Sequence, residues 1–212
     1  MAKTRRAKRR SADGDESAVR VRILDAAFAA FMAQGYAATS TLEIATRARV
    51  SKRELYALVG NKEEMLIACI TNRSRRFQIP GELPEPRDRK GLQQLLAAFG
   101  AQLLREISDP AVVGVFRLAI AEATHAPEVA RALDSIGGKA VNAALHGIMA
   151  GAVKAGLLTG DLDELAERFW GLLWGDLQVG LLLGVAERPG EAKLAARAEA
   201  AAAMFLRIYP AA

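Results

Sequence analysis

Ser40–Lys62, STLEIATRARVSKRELYALVGNK, carries three helix starts in one short stretch. Ser40 is followed three residues on by Glu43, and Ser51 by Glu54, the spacing of a capping box. In a capping box the serine oxygen takes an orphan helix N–H and the glutamate reaches back to the cap. Asn61 with Glu64 is a looser version of the same signal. Between the first two starts there is room for about two helical turns and a tight corner. That spacing predicts a helix-turn-helix, whose second helix is built to lie in a DNA major groove.

Upstream of this stretch, Leu24, Ala27, Phe28 and Phe31 recur at helical spacing from Ala18 to Gln34, and Gly35 is a natural C-terminal cap. Met1–Ser17 is a basic, apolar-poor arm, expected to be flexible. Short helices are expected over Thr41–Ala48 and Lys52–Val59, and a longer one from Lys62 to about Phe77. Ile79–Pro86, IPGELPEP, cannot continue a helix and reads as a domain boundary. Beyond it, helices are expected over Gly91–Ser108, from Pro110, from Pro127 to near Gly156 with a bend at Gly137–Gly138, from Asp161 or Asp163 to about Leu183, and over Glu191–Ile208. No period-2 alternation competes. The expected fold is all-α: an arm at 1–17, a three-helix head at 18–78 and a helical bundle at 88–212.

Charge follows the same division. The 212 residues carry a net charge of +5, but residues 1–80 hold 16 Lys+Arg against 8 Asp+Glu, a net of +8, and the remainder holds −3. A solvated surface gives such an excess too, but its coincidence with a helix-turn-helix points to a polyanion-binding head. Hydrophobic residues at 51% and charged residues at 25% are ordinary for a globular protein. A single cysteine, Cys69, excludes an intramolecular disulfide and fits a reducing cytoplasm. No apolar run is free enough of charge to read as a membrane span, so a cytoplasmic location is expected.

Within the head, Ile44, Ala45, Ala48, Val50, Leu55 and Leu58 or Val59 are expected core. Ser51, Lys52 and Arg53 open the second short helix, the end that meets bases and phosphates. Tyr56 lies one turn later on the same side, where a phosphate contact is the better reading than packed core. Lys62 places a cation at a helix start that already favours an anion. Glu54 is read as a cap partner rather than a base reader. In the arm, Arg5, Arg6, Arg9 and Arg10 can enter a flanking minor groove or serve only as a nonspecific tail.

GYAATSTLEIATRARVSKRELYALVGNKEEMLIACI, residues 35–70, resembles the N-terminal domain of TetR/AcrR-type transcriptional regulators over roughly Ile23–Ile70. Phe116–Leu133, FRLAIAEATHAPEVARAL, is similar to the AefR/AcrR-like C-terminal branch. The resemblance implies a helical ligand-binding and dimerisation body, a palindromic double-stranded DNA operator, a homodimer and a small-molecule effector that releases DNA. It also implies operator contacts at Ser40, Thr41, Ser51, Lys52, Arg53, Tyr56 and Lys62, with Asn61 beside them. Arg49 departs from the family pattern, standing where relatives place the glycine of the corner. If that corner needs positive φ, an arginine there costs on the order of 1–2 kcal/mol, unless it is offset by packing or by reaching a phosphate. Arg53, Ala57, Leu58 and Gly60 also replace commoner residues, so base preference is this chain's own.

The body offers fewer handles. Phe116, Arg117, His125, His146, Trp170, Trp174 and Gln178 are the residues most able to line a pocket, and the aliphatic, Trp-containing body favours an apolar or aromatic effector. Gly171 with Gly175, and Gly180 with Gly184, form close-approach pairs on opposite sides of one expected helix. With Ala198, Ala201 and Phe205 of an Ala-rich last helix, they are expected at a dimer interface. Two other classes compete with this reading. Glu122–Ala–Thr–His125 has the E-x-x-H spacing of di-iron bundles, but no second unit follows, so no metal or other cofactor is expected and an enzyme is disfavoured. A nonspecific architectural DNA binder is the other alternative.

Overall fold

In the computed structural model, the backbone is described for residues 2–74 and 85–211, and the side chains for 16–72, 85–135 and 138–211. Among the described residues the chain is all-α. The head opens with α1 (Ala2–Gln34), α2 (Thr41–Ala48), α3 (Lys52–Leu58) and α4 (Lys62–Ser74). The body and its connections follow as α5 (Arg89–Ile107), α6 (Pro110–Ala121), α7 (Pro127–Leu133), a π-turn (Asp134–Gly138), α8 (Lys139–Lys154), α9 (Leu162–Trp174), α10 (Leu177–Leu183) and α11 (Glu191–Ile208). Six residues of the expected boundary, 79–84, lie outside the described residues, as does the expected end of α4 at Phe77.

Helix α1 begins sixteen residues before the expected Ala18, so the arm continues the first helix instead of standing apart from it. Its Ala, Lys and Arg residues are strong helix formers and no proline interrupts them, which favours continuation. The arm arginines Arg5, Arg6, Arg9 and Arg10 lie outside the residues whose side chains are described. Gly35, at φ +87, ends the helix as expected.

The chain forms two compact units, and they do not follow the expected boundary: Met1–Ser74 groups with Arg117–Ile136, and Arg75–Phe116 groups with Gly137–Ala212. The segment 117–136, assigned from sequence to the body, therefore belongs to the head. The reason is apolar matching. Leu118, Ala119, Ala126, Val129 and Ala132 are buried in it, and α7 packs on α4 of the head.

In the second unit α11 packs along α5 and α9. Phe169 and Phe205 meet edge to face at 5.6 Å. Gly100 permits the close approach of α5, because a Cβ there would lie 2.9 Å from Leu173 and 3.3 Å from Ala198. Arg89 ties the bottom of this bundle together by donating to the carbonyls of Leu157 at 2.7 Å, of Tyr209 at 2.9 Å and of Leu206.

Two expectations for the body are corrected. Asp161 does cap a helix, its carboxylate accepting from Asp163 and Glu164 N–H, but the helix stops at Trp174 instead of running to Leu183. Gly175 adopts φ 46 and ψ −127, and Arg197 reaches the carbonyls of Leu173 and Trp174 freed by the break. Gly171, Gly175, Gly180 and Gly184 thus do not share one helix. Gly175 faces Arg197, Gly180 faces Ala186 at 2.9 Å, and Gly184 is a left-handed cap, while Gly171 alone has open space beside it. Ala198, Ala201 and Phe205 are also not at a partner surface. They are buried within their own unit because α11 turns its small residues towards α5 and α9.

Candidate nucleic-acid interface

The scaffold of the interface is fixed by caps and a few buried residues. Ser40 Oγ accepts from Glu43 N–H at 3.1 Å, and Ser51 Oγ accepts from Glu54 N–H at 3.1 Å. The third start is the tightest: Asn61 Oδ1 accepts from Glu64 N–H at 2.9 Å while Glu64 Oε2 accepts from Asn61 N–H at 2.7 Å. Ile44, Ala45, Ala48 and Leu55 are buried as expected. Two arginines that sequence reading passed over hold the far ends of these helices. Arg22 Nε donates to Ala48 O at 2.8 Å and Arg20 Nε to Leu58 O at 3.3 Å, so α1 caps the C-termini of both α2 and α3. Their spacing two residues apart on a helix facing two short helices was the available signal.

Arg49 sits at the corner with φ 55 and ψ 47, the one non-glycine residue with positive φ among those described. Its N–H donates to Thr46 O at 3.2 Å, closing α2 in a left-handed cap. The strain anticipated for an arginine in the place of glycine is therefore present, and its exposed side chain stands beside the start of α3 in sequence.

The outward face of α3 is open. Ser51, Lys52 and Arg53 are exposed at its N-terminal end, and among the described residues no carboxylate pairs with either cation. Tyr56 is 44% exposed; its hydroxyl lies 3.3 Å from Thr41 Oγ1, and Lys52 Nζ lies 5.9 Å from its ring centre. Five expected contacts, Thr41, Ser51, Lys52, Arg53 and Tyr56, are thus gathered on two adjoining helices, and Ser40 is exposed at the start of α2.

Asn61 and Lys62 are engaged differently. The Asn61 side chain caps α4, and Lys62 Nζ donates to Ala37 O at 3.1 Å while lying 4.5 Å from the Tyr36 ring centre. Burial pushes the Lys62 ammonium below its ordinary range, against the opposing pull of Glu122 and Glu128. Tyr36 is buried, and burial with Glu128, Glu63 and Glu122 pushes its hydroxyl up to about 12. Glu43 pairs with Arg47 at 2.8 Å and with Gln34, which joins the end of α1 to α2.

The expected pocket residues are divided between the two units. Arg117 and His125 belong to the head unit; Phe116, His146, Trp170, Trp174 and Gln178 belong to the body unit. There Trp170 and Trp174 stack at 5.7 Å, Trp170 Nε1 donates to Asn142 Oδ1 at 3.1 Å, and His146 Nε2 lies 3.5 Å from Asp163. A groove of about 740 Å³ runs along α5, lined by Lys90, Gln94, Leu95, Ala98, Phe99 and Gln102 among others, none of them an expected pocket residue. Glu122 and His125 do not lie on a helix, because α6 ends at Ala121. Glu122 accepts from Ala37 N–H, and His125 Nδ1 lies 3.0 Å from Thr124 Oγ1.

Comparison with known families and structures agrees with this geometry. Residues 23–69 match the family described as bacterial regulatory proteins, tetR family, and residues 94–211 match the AefR-like transcriptional repressor, C-terminal domain. The chain is 29% identical to the flavonoid-responsive regulator FrrA, covering 92% of this chain and 98% of that one with a TM-score of 0.76. It is 27% identical to a TetR transcriptional regulator from Agrobacterium tumefaciens, covering 91% and 95% at a TM-score of 0.73. A TetR-family transcriptional regulator from Mesorhizobium loti is 26% identical, covering 92% and 98% at 0.71. Comparison with curated proteins finds no match.

Proposed function

We propose that this chain, which belongs to the TetR family of bacterial regulatory proteins, is a ligand-responsive repressor that binds a palindromic operator as a homodimer. The observation that carries the reading is the open N-terminal end of α3, where Lys52 and Arg53 stand exposed and without acidic partners beside the Thr41–Tyr56 hydroxyl pair. Cations without carboxylate partners on a capped helix end are what phosphates and base edges require. In a two-fold dimer two such helices would meet half-sites ~34–36 Å apart.

Support for a homodimer comes from the body's exposed apolar residues, Val179 and Leu183 of α10 and Met204 and Ile208 of α11, with the open Gly171 on α9. These replace the buried Ala198, Ala201 and Phe205 as the residues a partner would cover. An apolar or aromatic effector is favoured by the aliphatic body with its two indoles and by the likeness to a regulator described as flavonoid-responsive. Effector binding would shift α4, and with it Lys62 and the head. Among the described residues no helix is long and apolar enough to cross a membrane, which is compatible with a cytoplasmic regulator.

Selection of bound sequences from a random DNA pool at physiological salt tests the reading. A discrete inverted repeat, protected as such in a footprint, is expected. Uniform protection without an enriched sequence would instead identify a nonspecific architectural binder.

A further inference from the structure

Glu122 is a charged side chain only 8% exposed, in the turn between α6 and α7. Burying a carboxylate is costly, and an aliphatic residue would fill the same space at less expense. What a carboxylate adds is direction. Its Oε1 accepts from Ala37 N–H at 3.0 Å, across 85 residues of sequence. The same oxygen would lie 3.0 Å from a Cβ built on Gly35, so the Gly35–Ala37 turn comes as close to it as the absence of a side chain permits.

That turn is held by a second side chain as well. Lys62 Nζ donates to Ala37 O at 3.1 Å and covers the Tyr36 ring. Buried Thr39 then donates from Oγ1 to Gly35 O at 2.7 Å and from its N–H to Tyr36 O at 3.3 Å. The next residue is Ser40, the cap of α2. The bonds from Glu122 to the start of α2 thus form a continuous path with few free torsions. From α2 the path passes to α3 through the Arg49 corner and the Thr41–Tyr56 contact.

The other end of the path leaves the head. Helix α6 is unbroken from Pro110 to Ala121, and the division between the units falls within it, after Phe116. Its first seven residues, Pro110–Phe116, group with the body and its last five, Arg117–Ala121, with the head.

We propose that Glu122 is a positioning residue for DNA recognition: its carboxylate holds the Gly35–Ala37 turn on the 117–136 segment and so fixes the attitude of α2 and α3. This rests on the regulator reading above. It adds a second route into the head, through the end of α6, beside the one through α4.

The test measures spacing preference as well as affinity. The half-site selected by the wild-type protein is placed in a library of inverted repeats whose separation varies base pair by base pair. Wild type, Glu122→Ala, Glu122→Asp and Glu122→Gln are compared at one salt concentration, with thermal melting alongside. Wild type is expected to prefer one spacing. Glu122→Ala and Glu122→Asp, which remove or withdraw the acceptor, are expected to bind that spacing about tenfold more weakly and to tolerate its neighbours almost as well. Glu122→Gln keeps an acceptor oxygen and is expected to restore the preference.

Lower stability alone reduces the active fraction equally at every spacing, so a flattened profile is not explained by it. Should Glu122→Ala not fold, the shorter Glu122→Asp decides. A wild-type preference that survives unchanged in Glu122→Ala or Glu122→Asp overturns this inference and leaves the regulator reading standing. A wild-type protein with no preferred spacing overturns that reading, and this inference with it.

Discussion

The hydroxyls of Thr41 and Tyr56 lie 3.3 Å apart, one at the first residue of α2 and the other on the exposed face of α3. Two helices thereby present neighbouring donors at one point, with Lys52 over the same ring. Tyr56→Phe keeps the ring and the cation contact and removes only the hydroxyl. Operator affinity is expected to fall about fivefold, the worth of one hydrogen bond of roughly 1 kcal/mol, without a change in melting temperature. Fluorescence anisotropy with Thr41→Ala and the double variant checks it, since a shared phosphate contact predicts that the two losses do not add.

Arg49 holds a left-handed conformation that glycine adopts without strain. Arg49→Gly is expected to stabilise the protein by about 1 kcal/mol, raising its melting temperature by roughly 2–4 °C for a chain of this size. If the guanidinium reaches DNA, the same variant binds operator more weakly, so stability and affinity move in opposite directions. Arg49→Ala should lose the affinity without gaining the stability.

Salt dependence separates the cationic contributions. Each phosphate contact accounts for about 0.9 of slope in log K against log salt. Lys52→Ala should reduce the slope by roughly one. Deleting residues 2–10, which remove six cations, should reduce it by several units if the arm lies in a groove. An unchanged slope after that deletion takes the arm out of the interface.

Tyr36 gives the fold an alkaline limit. Its hydroxyl pKa of about 12 stands above the ordinary 10.0, chiefly through burial and then through Glu128, Glu63 and Glu122. The folded state keeps this proton after the unfolded chain has released it. The stabilisation is complete below pH 10 and is lost as pH rises through about 12. Lys62, lowered by burial, has the opposite slope just below its ordinary value of 10.5, but it is present in both proteins compared. Wild type should lose roughly 2–3 kcal/mol relative to Tyr36→Phe across that window, read by denaturant titration at successive pH values.

Arg89 donates to three carbonyls, two of them at the end of α11. Arg89→Met keeps much of the stem and removes the fork, and is expected to cost roughly 2–4 kcal/mol. Arg89→Lys should recover little, because one ammonium cannot reproduce a planar fork. Chemical denaturation of both variants provides the comparison.

The head was legible because its signals are local. A serine three residues before a glutamate fixes where α2 and α3 begin, and a residue in the place of glycine announced the strained corner at Arg49. The body was legible only as helices. Whether Ala198 faces a partner or its own core depends on where α5 lies, and nothing within α11 encodes that. Gly175 reads equally as a packing glycine or a break; Arg197, over twenty residues on, stabilises the break. The contact of Lys62 with the Tyr36 ring was not legible, because Tyr36 lies 26 residues away beyond two helices. In the same way, the role of Glu122 was hidden because its partner, Ala37, is remote in sequence.

Because 117–136 belongs with the head, the chain passes between the two units three times, after Ser74, Phe116 and Ile136. The DNA-reading part is therefore not a detachable N-terminal cassette. A fragment ending at Ser74 would lack α7 and uncover the side of α4 on which it packs. A head exchanged with another regulator would arrive at a Glu122 shaped for a different turn. Recombination that respects only the linear boundary after residue 78 should yield insoluble chimeras, whereas joints that carry 117–136 along with the head preserve its interior. Residues 1–74 and 117–136 are bound in this protein to diverge together.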